Sequence, residues 1–125
     1  MIFDTDVLIF AFRGNLNAAK LIDKTNDRSI SVVTYMELMQ GEKNRQELAG
    51  IKSFLSDLGF KTLSLTENIG HRASIYIEEY SSKAGLRVAD ALIAATAVEN
   101  MEILCTSNIK HYKIIKDLDT ELFKV

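Results

Sequence analysis

RVADALIAATAVE, residues 87–99, is the stretch on which the reading of this chain turns. From Val88 to Val98 it is almost wholly small or apolar, and Asp90 and Thr96 are the exceptions. A segment apolar on most sides reads as a helix, about 87–100, at the centre of the molecule. An ionised carboxylate in such surroundings is costly unless it is paired, hydrogen-bonded or bound to a metal. Asp90 therefore needs partners from elsewhere in the chain.

Outward from this helix, strand and helix signals alternate. EILCT (102–106) reads as a strand, SNIKH (107–111) as a loop, and the tail 112–125 as carrying a last short strand. Upstream, Thr66 caps a long helix with Ile69, Ala73, Tyr76, Ile77, Tyr80 and Ala84 on one face, and Gly85 interrupts it. KTLSL (61–65) alternates like a strand, and Leu48, Ile51, Phe54, Leu55 and Leu58 recur at helical spacing until Gly59. Thr34 and Glu37 have capping-box spacing and open a helix that Gly41 closes. SISVV (29–33) is a second strand, and 15–25 a weakly amphipathic helix. MIFD (1–4) reads as a short buried strand, whereas VLIFAF (7–12) fits either a strand or a short helix capped by Asp6. This alternation predicts an α/β sandwich with a mostly parallel sheet.

Composition narrows the function. A length of 125 residues suits one domain, 1–125, and its hydrophobic fraction of 47% and charged fraction of 26% are ordinary for a soluble protein. No apolar run is long and pure enough to span a membrane, and the first residues lack the basic start of a signal peptide. With Cys105 as the single cysteine, neither an internal disulfide nor a cysteine-based zinc site is possible, which points to a reducing cytoplasm. A net charge of −2 argues against binding nucleic acid chiefly by neutralising phosphates. Contact with RNA or DNA must then be local, transient or helped by a cation.

In open parallel sheets, ligands gather outside the carboxyl ends of the strands. Asp4 and Asp6 follow the first strand, Glu37 lies just past the second, and Thr106, Ser107 and Asn108 follow EILCT. Asp90 lies near the start of the buried helix. Each acid has a structural explanation: Asp4 a turn, Asp6 a helix cap, Glu37 the third position of a capping box, Asp90 the helix dipole. Several acids at one sheet edge, however, repel one another unless protons or cations neutralise them. Oxygen-only donors favour Mg²⁺ or Mn²⁺ over zinc or copper, and such sites usually serve phosphate chemistry.

Four segments, MIFDTDVLIFAF (1–12), SVVTYMELMQGE (31–42), GLRVADALIAATAVE (85–99) and ILCTSNIKHYKII (103–115), together resemble the PIN-domain family. Within it they resemble the VapC-type ribonuclease toxins of toxin–antitoxin systems. The resemblance implies a PIN-like α/β/α sandwich with a central, mostly parallel sheet of four to five strands. It also implies a Mg²⁺- or Mn²⁺-dependent endoribonuclease. Its acids fall on Asp4, Glu37 and Asp90, with Asp6 as a further metal ligand and Thr106 and Asn108 completing the site. Many relatives carry Asp where this chain has Asn108, so a second metal would be held more weakly here. The family further implies a homodimer, a small antitoxin protein that wraps and blocks it, and single-stranded or looped RNA as substrate.

The expected reaction is in-line hydrolysis of a phosphodiester by a metal-activated water, leaving a 5′-phosphate and a 3′-hydroxyl. His111 reads as a surface or structural residue, and no histidine is placed as a general base. Arg13 and Lys110 are candidates for RNA backbone contacts. Two other readings stand beside this one. The first is a PIN-like domain that binds RNA or protein without cutting. The second is a HAD-like Mg²⁺ phosphatase, suggested by Asp4-Thr5-Asp6.

Overall fold

The computed structural model describes residues 1–42 and 44–125. Along the chain run β1 (Ile2–Phe3), α1 (Thr5–Phe12), α2 (Leu16–Lys24), β2 (Ser29–Ser31), α3 (Val32–Gln40) and α4 (Arg45–Asp57). They are followed by β3 (Lys61–Leu63), α5 (Glu67–Ala84), α6 (Val88–Glu99), β4 (Leu104–Thr106), α7 (Ile109–Tyr112) and β5 (Thr120–Leu122). The five strands form one sheet in the order β3-β2-β1-β4-β5. Every pairing is parallel, so the sheet is wholly rather than mostly parallel.

The period-2 geometry of a strand divides the core in two. Ile2 and Leu104 point to one face, where they pack with Ile69, Ala73, Ile93 and Ala94 of α5 and α6. Phe3 and Cys105 point to the other, against Val7 and Leu8 of α1, Ile22 of α2, and Ile51 and Leu55 of α4. Cys105 is a buried small hydrophobe, as expected for its place in a strand. α6 is the central helix the sequence implied, with Ala91, Ala94, Ala95 and Ala97 fully buried. Its alanines let α5 approach closely. Among the described residues, no helix is long and apolar enough to cross a membrane.

Three local expectations are corrected. Asp4, not Asp6, caps α1, because its carboxylate accepts from Thr5 N at 2.9 Å. Asp6 lies inside the first turn. The second strand stops at Ser31, whose hydroxyl accepts from Val33 N at 3.1 Å and starts α3 three residues before Thr34. Glu37 therefore sits in the second turn, and the capping-box explanation for it lapses. Finally, SNIKH is not all loop: the Thr106 hydroxyl accepts from Asn108 N at 3.0 Å, and the chain then turns into α7.

Glycine has a required role after α5, which ends on Gly85 at φ +68°, a left-handed conformation that lets α6 start immediately afterwards.

Candidate active site

The site begins with register. β1 and β4 pair with Phe3 opposite Cys105, so Asp4 and Thr106 leave the sheet side by side. The Thr106 hydroxyl donates to Asp4 Oδ2 at 2.8 Å, and both residues are buried. Asp4 is 7% exposed. Burial first, and the nearby Asp6 charge second, push its carboxyl up from 3.8 to about 7, against the opposing bonds from Thr106, Thr5 N and Tyr112.

Asp6, on the same turn, accepts at Oδ2 from Ser107 N at 3.1 Å and from the Ser107 hydroxyl. Its other oxygen, Oδ1, is buried and has no hydrogen-bond partner among the described residues. A buried carboxylate oxygen without a donor is costly.

Glu37 reaches the site from α3. The Thr5 hydroxyl donates to Glu37 Oε1 at 2.7 Å and shares a 3.0 Å hydrogen bond with the buried Thr34 hydroxyl. Asp90 comes from the first turn of α6, where it accepts from Arg87 N at 3.3 Å. The Tyr112 hydroxyl makes a long 3.4 Å bond to Asp90 Oδ1. The same hydroxyl acts on Asp4. Burial, then the charges of Asp4 and Asp90, hold the Tyr112 phenol well above its ordinary pKa, so it remains a donor. His111 Nδ1 stands 3.7 Å from Asp90 Oδ2. His111 is thus part of the site's wall, which its distance in sequence from the acids concealed.

Glu37, Asp90, Asn108, His111, Arg87 and Val88 line a cleft of about 650 Å³. Arg87 and His111 supply its basic groups, while Arg13 lies in a neighbouring furrow that also touches Glu37. A separate cavity of about 510 Å³ surrounds Arg72 and Tyr76, but Arg72 is already matched by Glu99 at 2.6 Å and Asp117 at 2.7 Å.

Among the described residues, no three His, Cys, Asp or Glu side chains are drawn close enough to grip one ion together. Asp4, Asp6, Glu37 and Asp90 each accept a hydrogen bond from a hydroxyl instead. The donor set nonetheless fits a hard divalent ion. Asp4 and Asp6 form a like-charged pair, one member carrying the unpaired Oδ1. Mg²⁺ is commonly held by one or two carboxylates while it keeps several waters.

Sequence reading missed Tyr112, and it noted Thr5 and Ser107 without a role. Their signal is tertiary: Ser107 meets Asp6 and Tyr112 meets Asp90 only through the fold.

Comparison with known proteins agrees with this architecture. The PIN domain model matches residues 1–116. Ribonuclease VapC19 of Mycobacterium tuberculosis is 30% identical over 122 residues, covering 94% of this chain and 95% of the relative. A toxin–antitoxin complex from Klebsiella pneumoniae contains a chain that superimposes with a TM-score of 0.80 at 29% identity, over 98% of each chain. VapBC2 from Rickettsia felis, solved bound to a DNA fragment from its promoter, gives a TM-score of 0.77 at 25% identity over 99% of this chain and 100% of the other. With its parallel sheet, its acids at the carboxyl edge and a family match over nearly its whole length, the chain belongs to the PIN-domain family.

Proposed function

We propose that this chain is a metal-dependent endoribonuclease and the toxin of a type II toxin–antitoxin pair, acting in the cytoplasm as a single domain. The observation that carries the proposal is the buried Asp4, clasped by Thr106 and on the same turn as Asp6, whose buried Oδ1 has no partner among the described residues. The ribonuclease relative and the toxin–antitoxin complexes among similar structures support it. The family match also sets aside the HAD-like phosphatase.

In this reading Asp4 and Asp6 would hold a Mg²⁺ or Mn²⁺ ion, with Glu37 and Asp90 as further ligands directly or through water. When bound, such an ion supplies a Lewis acid and a water of lowered pKa. Thr106 fixes the orientation of Asp4. Thr5 holds Glu37 turned toward the site. Asn108 and His111 face the incoming phosphodiester from the cleft wall, with Arg87 contributing positive charge. Water adds to phosphorus and the 3′ oxygen leaves, giving a 5′-phosphate and a 3′-hydroxyl. The partners are a small antitoxin protein and a second copy of this chain. For the homodimer, the support is Val88, 66% exposed beside an apolar furrow formed by Ala73, Ile77 and Leu92.

Cleavage of a mixed RNA substrate with Mg²⁺, and none with a chelator, is the expected result. Growth arrest on expressing the chain alone, relieved by its neighbouring reading frame, is expected for a toxin. RNA bound but left intact in Mg²⁺ would favour the non-cutting reading, to which Asn108 in place of an acid lends support. Light scattering of the isolated protein tests the homodimer.

A further inference from the structure

We propose that Tyr112 is a positioning residue for the metal site: its hydroxyl, bonded to Asp90 and close to Asp4, orients the Asp90 carboxylate toward the ion. This rests on the metal-site reading above. The ring is 1% exposed and packs in the α5–α6 core, where a phenylalanine would fill nearly the same space. A buried hydroxyl is costly unless it is bonded, so the oxygen requires partners. Among the described residues the hydroxyl bonds Asp90 Oδ1 at 3.4 Å, and Asp4 lies close enough for its charge to act on the phenol. Asp4 is fixed by β1 and Asp90 by α6, on separate elements. Tyr112, at the end of α7, bonds Asp90 and lies near Asp4.

The bond to Asp90 is long, which suits a contact that tightens when Asp90 is drawn in around a cation. A donor on the outer face of a metal-binding carboxylate orients it and disperses its charge, and loss of such a partner typically weakens metal affinity about 10–100-fold.

The test uses the intact chain and Mn²⁺ alone, with free Mn²⁺ followed by its electron paramagnetic resonance signal. Tyr112→Phe should bind Mn²⁺ about 10–100-fold more weakly than wild type. Tyr76→Phe removes the other buried phenol bond, a 2.9 Å contact to Asp117 remote from the cleft, and should leave Mn²⁺ affinity unchanged. Affinity within twofold of wild type in Tyr112→Phe, or equal losses in both tyrosine variants, overturns the proposal. Asp90→Asn separates the two levels of argument. If it loses Mn²⁺ while Tyr112→Phe does not, only the role of Tyr112 falls. If wild type fails to bind Mn²⁺, the metal site falls and this proposal with it; if Asp90→Asn binds Mn²⁺ like wild type, this proposal falls while the Asp4–Asp6 site stands.

Discussion

Asp4 should make the stability of the metal-free protein fall as pH rises, and Asp4→Asn isolates the effect. The folded carboxyl titrates at about 7 against 3.8 for the free side chain. A group raised in the fold binds its proton more tightly there. Its contribution is therefore fully present below 3.8 and lost as pH climbs through about 7. At about 1.4 kcal/mol per pH unit the full span is roughly 4 kcal/mol, of which about 2.5 kcal/mol falls between pH 5 and pH 8. The other titrating groups are common to both proteins, so the comparison between variants matters more than either curve alone. Urea denaturation of both proteins in a chelator, at pH 5 and pH 8 and constant ionic strength, gives the difference directly. Asp4→Asn should gain roughly 2.5 kcal/mol on wild type between those pH values, less any constant offset from altered bonds to Thr5 and Thr106. Adding Mg²⁺ should restore more stability to wild type at pH 8 than at pH 5, because protons and the cation compete for Asp4. If the two proteins track each other within about 0.5 kcal/mol across this range, Asp4 is not held protonated by burial and the reasoning fails.

Asp90→Asn should abolish cleavage while changing the melting temperature of the metal-free protein by no more than about 2 °C, since an amide oxygen can still accept from Arg87 N; a drop of several degrees would mark a structural role. Thr106→Val removes the donor to Asp4 and the acceptor for Asn108 N, and should cost about 1–3 kcal/mol in chemical denaturation along with most of the activity. Arg72→Met breaks two partly exposed ion pairs and should cost no more than about 1 kcal/mol, less at high salt, with cleavage unchanged. Gly85→Ala forces a side chain into a left-handed conformation and should cost about 1–2 kcal/mol by denaturation, although no atom blocks the added methyl.

The fold was legible because its apolar runs are short and separated by turn residues, and because the α6 segment is greasy on nearly every side. The sheet edge that carries Asp4 and Asp6 followed from the parallel topology alone. Boundaries were harder. Ser31 and Thr34 both suit a helix cap, and only the bond from Val33 N to the Ser31 hydroxyl decides between them. Asp4 and Asp6 posed the same choice at α1, settled by Thr5 N. The hydroxyls that orient the acids were hidden for a different reason. Thr5 reaches Glu37 across 32 residues and Ser107 reaches Asp6 across 101, distances over which no periodicity carries information.

β1 is the middle strand of the sheet, yet its neighbour β4 is made about a hundred residues later. Asp4 leaves the ribosome early and waits for Thr106, across a separation of 102 positions, before it acquires its clasp. The middle of the sheet, and with it the clasp on Asp4, is therefore completed from the two ends of the sequence, and neither end carries the site without the other.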